Sequence, residues 1–417
     1  MSLALLIVFL LINILMIASG LKSKMGVFQF PCLIGCVNLA FVFPQLYSIY
    51  NVHRNADSYM ALALLFMCLC SAALWAGFYF GNRHLKHTNY IVRFNPDALI
   101  KVIIAFFIIG VTAYLTNRGV QKGGRASGTY VIIRFFQEYA NYALFLILII
   151  LSRHIKYTKI LTVLLIGEFF IGLDFLFLAA RRGNTIIMVL AVLYFYLNKL
   201  SPAKYNSRRW VIPIFFFIGM ILSTNIAEYR SNAYKGTMSA NENFESLDYS
   251  NTASKIFNNA YGELNNAILG INYAYANNAY DYGATNWNGL VKTLVPKVIV
   301  GTQVKNAMYL PIPTQEFANR LTAAGSTMTG YFDAFGSFGI FGFIKFFIIG
   351  LIMGFLWHRR QSSDLSLFLY LLLLTPGLHL ITHESAYFFY NLALYVLFIY
   401  PFLRPCRVKW IPNKLSL

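Results

Sequence analysis

The chain has 417 residues, of which 58% are hydrophobic and only 12% are charged. A soluble domain carries about 25% charged residues, so this composition excludes an ordinary soluble protein and indicates the membrane class. The formal net charge is +19, but the basic residues lie in short segments between apolar runs, which argues against nucleic-acid binding. The five cysteines fall in apolar runs or in the C-terminal tail and predict no disulfide framework.

Eleven apolar runs are candidates for transmembrane helices, because about 20 apolar residues are needed to cross a bilayer. They are residues 3–20, 27–50, 59–81, 98–116, 132–152, 160–180, 185–198, 211–225, 335–357, 365–382 and 386–403. The first run is followed rather than preceded by basic residues, which favours a retained helix over a cleaved signal peptide. We therefore expect an all-α polytopic membrane protein with about eleven transmembrane helices.

The distribution of Lys and Arg predicts the orientation, since cytoplasmic loops carry an excess of basic residues. With a periplasmic N-terminus, the cytoplasmic segments carry eighteen Lys and Arg and the short external loops carry six. Those cytoplasmic segments are 21–26, 82–97, 153–159, 199–210, 358–364 and 404–417. We expect a multi-pass protein of the bacterial inner (cytoplasmic) membrane, with its C-terminus in the cytoplasm.

Residues 226–334 are predicted to form one large extracytoplasmic, periplasmic loop between an N-terminal bundle at 1–225 and C-terminal helices with a cytoplasmic tail at 335–417. The loop is too long for a simple connector, so its length favours a functional role. Its residues 254–275 have the apolar spacing of an amphipathic helix that lies on the membrane or on the bundle. The apolar stretch 289–301, broken by Pro296, predicts a re-entrant or surface helix.

Several basic residues are predicted on the external side, against the overall charge bias. Phosphate binding would explain them, since Arg can bind phosphate in a bidentate manner. Arg181 and Arg182 lie in a tight connection between helices, and Arg230 follows the end of a predicted span. The further candidates for binding an anionic substrate are Arg118, Arg125, Lys297, Lys305 and Arg320. Headgroup contact or a solvated surface charge is the competing interpretation of each.

Two residues are candidates for acid–base chemistry, with a surface or capping role as the alternative for both. Glu263 lies toward the polar side of the amphipathic stretch and could deprotonate a hydroxyl group. His383 lies beside Glu384 in a short external loop, where it could bind phosphate or relay a proton. Ionisable residues inside the predicted spans are most simply structural ion pairs: Arg134, Glu138, Glu168, Asp174 and Lys345. No metal signature and no Walker loop is present, so we expect neither a metal nor another cofactor.

Four short motifs lie within roughly residues 160–355. They are Ala180-Arg181-Arg182-Gly183-Asn184, Tyr229-Arg230, Val295-Pro296-Lys297 with Lys305-Asn306, and Gly325-Ser-Thr-Met-Thr-Gly330 followed by Ala334-Phe-Gly-Ser-Phe-Gly339. In their order and in the architecture around them, they resemble the Wzy-type polymerases, the oligosaccharide repeat unit polymerases of O-antigen and capsule assembly.

The resemblance implies a membrane glycosyltransferase with a GT-C-like helical bundle, which polymerises oligosaccharide repeat units carried on undecaprenyl pyrophosphate. The product would be O-antigen of lipopolysaccharide, capsule or exopolysaccharide. Arg182 and Arg230 would hold the pyrophosphate as catalytic residues, and Glu263 or His383 would orient the acceptor hydroxyl. The secondary, substrate-binding residues would be Arg181, Lys297, Lys305, Arg320, Arg118 and Arg125. Membrane lipid, a flippase and a chain-length regulator are the other expected partners.

Two other functions fit the same features. An O-antigen ligase has a similar architecture and transfers the finished chain to the lipid A core. A polysaccharide transporter or flippase is the second alternative, although the odd number of spans, the lack of internal repeats and the long external loop argue against it.

Overall fold

Apolar runs form α-helices throughout the described part of the chain, as the hydropathy pattern predicts. The computed structural model describes residues 1–52, 57–83, 91–117, 129–153, 157–177, 182–208, 210–211, 213–214, 263–295, 297–313 and 328–410. Among these residues, seven helices are long and apolar enough to cross a membrane. The prediction of an all-α polytopic membrane protein is therefore confirmed.

The helices of the first half are α1 (Ser2–Leu21), α2 (Phe30–Val52), α3 (Asp57–Arg83), α4 (Pro96–Asn117), α5 (Thr129–Arg153), α6 (Thr158–Phe177), α7 (Arg182–Lys199) and α8 (Pro202–Arg208). Those of the second half are α9 (Glu263–Asn277), α10 (Ala284–Leu294), α11 (Lys297–Val300), α12 (Thr302–Ala307), α13 (Gly330–Phe338), α14 (Phe343–Arg359), α15 (Asp364–His379) and α16 (Ala386–Leu403). Every predicted span overlaps one of these helices except 211–225, which lies largely outside the described residues.

One end of the bundle, which we call the basic end, is organised around the buried carboxylate of Asp364 at the start of α15. Arg93 and Arg153 each approach Asp364 Oδ1, at 2.9 Å and 2.8 Å. Arg93 lies on strand β1 (Ile91–Phe94), which pairs antiparallel with β2 (Arg407–Trp410) after the last helix. Described residues of four predicted cytoplasmic segments, namely 82–97, 153–159, 358–364 and 404–417, therefore meet at one end of the bundle.

Two helices of the bundle approach each other through glycines. A Cβ on Gly350 of α14 would lie 2.2 Å from the carbonyl oxygen of Leu74 on α3, and a Cβ on Gly77 would lie 2.1 Å from that of Phe347. Gly81 and Gly354 continue this contact one turn further along each helix. Small residues four apart allow membrane helices to pack closely, so this contact fixes α14 against α3.

At the opposite end of the bundle, helix α9 packs on the membrane helices. Its side chains Leu264, Ile268 and Ile271 are fully buried. Gly270 faces the ring of Phe332 on α13, since a Cβ there would lie 2.5 Å from Phe332 Cε2. Of the two locations predicted for the amphipathic stretch 254–275, the described part therefore lies on the bundle.

Candidate active site

Helix α13, within the Gly-rich motif of the sequence, positions the central carboxylate of the site. The helix begins after Thr329, whose Oγ1 accepts a hydrogen bond from the Phe332 amide at 3.3 Å, as an N-cap residue does. It ends at Gly339, whose φ of 58° favours glycine. A Cβ on Gly342 would lie 2.0 Å from the Ala334 carbonyl oxygen, so glycine allows the chain to fold back into α14.

Asp333 on α13 is buried and forms an ion pair with Lys345 on α14. The distance from Lys345 Nζ to Asp333 Oδ2 is 3.5 Å, and Nζ also donates to Ser337 Oγ at 2.7 Å. The same carboxylate oxygen accepts hydrogen bonds from the hydroxyl of Ser385 and the amide of Ala386. Asp333 Oδ1 is buried and has no hydrogen-bond partner among the described residues. One carboxylate oxygen is therefore fixed, and the other is available to a ligand that enters.

A second buried carboxylate, Asp281, lies just before α10. Its Oδ1 accepts from the Gly283 amide at 2.8 Å, and its Oδ2 accepts from the hydroxyl of Thr285. The amides of Asp281 and Tyr282 in turn donate to the carbonyls of Gly336 and Ser337, at 2.8 Å and 3.0 Å. Asp281 thus orders the turn before α10 and holds the start of that helix against the end of α13.

A small recess lies between these carboxylates, and we call it the acidic recess. Its volume is about 50 Å³, enough for a few waters or for one hydroxyl-bearing group. It is lined by Asp281, Thr285, Ile312, Met328, Phe332, Asp333, Gly336 and Glu384. Three carboxyl groups from separate parts of the chain therefore face one polar cavity.

Glu384, in the loop between α15 and α16, contributes the third carboxyl group of the acidic recess. Burial raises its pKa above the ordinary value, and the carboxylate of Asp333 raises it further. Lys292 and Lys345 oppose part of this shift, and Asp281 adds to it. A carboxyl group with a raised pKa is a stronger base than an ordinary Glu side chain, which suits proton transfer near neutral pH.

Three lysines on α10 to α12 form what we call the lysine group, and one of them, Lys292, acts electrostatically on Glu384 of the acidic recess. Lys305 Nζ donates to the carbonyls of Lys292 and Val295, at 3.1 Å and 2.7 Å, and so caps the end of α10. Burial lowers the pKa of Lys305, and the positive charges of Lys292 and Lys297 lower it further. Lys292 and Lys297 are exposed. The group is a local concentration of positive charge, and an anion would relieve its mutual repulsion.

The predicted site residues differ in how much of them the structure describes. Lys297 and Lys305 belong to the lysine group, and two of the hydrogen-bond donors of Lys305 are used on backbone carbonyls. His383 adjoins Glu384, but its ring contacts His379 at a centroid distance of 5.0 Å and its Nδ1 is 2.8 Å from Thr382 Oγ1. His383 is not among the residues that line the acidic recess.

Other predicted residues are described in backbone only, or not at all. Arg182 begins α7 and Glu263 begins α9, but their side chains lie outside the described residues. Arg181, Arg230, Arg320, Arg118 and Arg125 also lie outside them. Helix α6 starts at the basic end, where the neighbouring Tyr157 donates a hydrogen bond to Asp97, and it runs toward the opposite end. Helix α7, which begins at Arg182, therefore starts at the end of the bundle that carries the acidic recess.

Sequence reasoning missed Asp281 and Asp333 as site residues, and it considered His383 rather than its neighbour Glu384. The usable signal was Asp333 itself, a carboxylate between Gly330 and Gly339 at the entrance of a predicted span, where an ionised side chain is costly. Its partner Lys345 was noted as an intramembrane charge and interpreted as a structural ion pair, and the pair with Asp333 confirms that interpretation.

The acidic recess can accept hydrogen bonds from a hydroxyl-rich group and can take a proton from it, while the adjacent lysines can balance negative charge. Among the described residues, no group of His, Cys, Asp and Glu has the arrangement of a metal site. Comparisons with protein-family models, with curated proteins and with solved structures find no match to this chain.

Proposed function

We propose that this chain is a membrane glycosyltransferase that polymerises oligosaccharide repeat units carried on undecaprenyl pyrophosphate. The observation that carries the proposal is the pair of carboxyl groups, Glu384 and Asp333, in one polar recess, with Lys292 of the lysine group near enough to act electrostatically on Glu384. Transfer of a sugar to a hydroxyl group needs a base for the hydroxyl proton and cations for the departing diphosphate. Both kinds of group lie at the same end of the helical bundle.

In the proposed reaction, an acceptor hydroxyl of one lipid-linked unit attacks the anomeric carbon of the growing chain. A bond forms between the acceptor oxygen and that carbon, and the bond from the carbon to the diphosphate oxygen breaks. The hydroxyl proton moves to Glu384, and the electron pair of the broken bond leaves with the lipid diphosphate. The leaving group is already activated, so the step needs no nucleotide and no oxidant.

Glu384 is the proposed catalytic base because it lines the acidic recess and has a raised pKa. Asp333 is a positioning residue in this scheme, since its charge raises the basicity of Glu384. It is held by Lys345 and by Ser385, the residue that follows Glu384. The free Oδ1 of Asp333 would accept a hydrogen bond from a second hydroxyl of the acceptor sugar.

On the donor side, the lysine group would neutralise the diphosphate together with Arg182 and Arg230. Arginine binds phosphate through two parallel hydrogen bonds, whereas lysine acts as a compact point charge. In the same proposal, the chain crosses the membrane eleven times. Its N-terminus and residues 226–334 are periplasmic, and the basic end faces the cytoplasm. The lipid-linked substrate would then approach from the outer leaflet.

Deletion of the gene separates the proposed polymerase from the two alternatives. Loss of a polymerase leaves single repeat units on the lipid A core, whereas loss of a ligase leaves the core bare. Loss of a flippase would trap lipid-linked units in the inner leaflet. A bare core or trapped units would contradict the proposal.

Substitution of the predicted arginines tests the donor side. We expect Arg182→Ala and Arg230→Ala to be expressed and inserted normally but to abolish long chains, because the developing diphosphate charge loses its partners. The matched control is Arg208→Ala. Arg208 is the last residue of α8, which follows α7 at the basic end, away from the proposed donor site. Wild-type product ladders in both test variants would contradict the donor site.

A further inference from the structure

Helices α10, α11 and α12 form one folded unit, residues 284–310, which we call the strapped unit. Trp287 Nε1 donates to the Met308 carbonyl at 2.7 Å. The amide group of the Asn288 side chain donates to and accepts from the backbone of Leu310, both at 2.8 Å. Together with the bonds of Lys305 to the end of α10, these contacts hold the two short helices against the longer one.

The strapped unit lies beside the first turns of a membrane-spanning helix. Gly289 of α10 faces Tyr390 of α16, because a Cβ on Gly289 would lie 2.9 Å from Tyr390 Cε1. Tyr390 is four residues into α16, so it lies about 6 Å along the helix axis at 1.5 Å per residue. Helix α10 is therefore level with the first turns of α16, which is long and apolar enough to cross a membrane.

Large apolar side chains of the strapped unit are exposed despite its fixed structure. Ile299 is 80% exposed, the highest value for a large hydrophobic side chain in the part of the chain that the structure describes. Val304 and Leu310 are 55% and 49% exposed. Contact of this apolar surface with water is unfavourable, whereas contact with acyl chains is not.

Positive charge accompanies these apolar side chains. Lys292 and Lys297 are exposed on the same unit, and the described part of the unit has no acidic residue. Exposed apolar side chains together with lysines are typical of elements that lie in the interface of an anionic bilayer. The height of α10 beside α16 agrees with this location.

We propose that the strapped unit rests in the interface of the outer leaflet, as a monotopic element that binds an anionic phospholipid bilayer. Ile299 and Val304 enter the boundary between headgroups and acyl chains, and Lys292 and Lys297 contact headgroup phosphates. The unit would anchor the external segment to the membrane. The membrane contact of Ile299 and Val304 does not depend on the proposed enzymatic activity, whereas the choice of the outer leaflet rests on the orientation given with the proposed function. Lys292 and Lys297 bind phosphate in both proposals, here the phosphate of a phospholipid headgroup.

Spin labels on single cysteines of the full chain test the location. Ile299→Cys and Val304→Cys are compared in nanodiscs with two reference variants. Val163→Cys, on an exposed position of the apolar helix α6, is the reference for lipid. Gln361→Cys, on an exposed position of the turn between α14 and α15, is the reference for water. The five native cysteines are buried, and the unsubstituted chain gives their background labelling. The measurement is the accessibility of each label to oxygen, which partitions into lipid, and to a water-soluble nickel chelate.

Labels at 299 and 304 are expected to favour oxygen, as the label at 163 does. Preference for the nickel chelate, as at 361, would overturn the proposal, and so would shielding from both reagents, which would indicate a protein partner. In nanodiscs that contain phosphatidylglycerol, the double substitution Lys292→Gln and Lys297→Gln should lower the oxygen accessibility of the label at 299. In discs of phosphatidylcholine alone, the same substitution should change that accessibility less. Equal values in all discs and variants would overturn the headgroup contact.

Discussion

The buried charges of Asp333 and Lys345 are each compensated mainly by the other. Both side chains are less than a tenth exposed, so removing one of them leaves an uncompensated charge in a medium that solvates it poorly. Replacing both partners removes that penalty. The ion pair can therefore be separated into a structural contribution and a chemical one by comparing single and double variants.

Asp333→Asn and Lys345→Met should each lower the free energy of unfolding by about 3–5 kcal/mol, because each strands a buried charge. The double variant should be more stable than either single variant, and the measurement is unfolding in mixed micelles of increasing denaturing-detergent content. Additive losses in the double variant would show that the two side chains are not coupled.

The raised pKa of Glu384 gives its contribution to stability a defined pH dependence. The folded-state pKa lies above the value near 4.3 of an unfolded chain. Below that unfolded value the carboxyl group is protonated in both states, and stability falls as the pH rises through the raised pKa. Glu384→Gln should therefore match the wild type in Tm at low pH and exceed it at neutral pH. A Tm difference that does not change with pH would contradict the shift.

Among the helices, the contact between α3 and α14 determines where Lys345 lies. Gly77 and Gly81 on one helix face Gly350 and Gly354 on the other, and each has a backbone carbonyl within 2.3 Å of where a Cβ would be. Both pairs have the spacing Gly-x-x-x-Gly, which was available from the sequence as a signal of helix association. The packing of α14 is thus encoded locally, even though the two helices are far apart in the chain.

Gly350→Ala should lower the Tm by several degrees, because overpacking a tight contact costs about 1–3 kcal/mol or more. Gly336→Ala on α13 is the matched control, since the nearest atom to its added Cβ is Phe332 Cε2 at an ordinary 3.8 Å. Equal Tm values for the two variants would contradict the close approach of α3 and α14.

Hydropathy predicted the helices of the bundle because crossing a bilayer requires long apolar runs, a local property of the sequence. The acidic recess could not be predicted in this way. Asp281, Asp333 and Glu384 come from segments about 50 residues apart, and tertiary packing of α10, α13 and α16 brings them together. Predicted site residues were instead chosen by charge and by resemblance, and half of them lie outside the described residues.

For the whole molecule, the two ends of the bundle carry different groups of charged residues. The basic end gathers Arg93, Arg153 and Arg407 around Asp364 and the two-stranded sheet. The other end carries the three carboxyl groups of the acidic recess together with Lys345 and the lysine group. The gathering of predicted cytoplasmic residues at the basic end is what the Lys and Arg distribution predicts, and the orientation in the membrane stays a prediction.

Reporter fusions test that orientation. A phosphatase that is active only in the periplasm should be active when fused at residue 250 and silent at residue 205, because the predicted external segment contains the first position and a predicted cytoplasmic segment contains the second. The reverse pattern would show that the basic end faces outward.

The most direct test is chain elongation by purified protein in nanodiscs, supplied with lipid-diphosphate-linked repeat units isolated from the organism that makes the protein. The wild type should build a ladder of products, at a rate that falls as the pH drops below the raised pKa of Glu384. The double variant Asp333→Asn and Lys345→Met should show this fall at lower pH, because Glu384 loses the negative charge that raises its pKa. Folded Glu384→Gln should leave single units only. Elongation by Glu384→Gln at the wild-type rate would contradict the assignment of the acidic recess as the catalytic site.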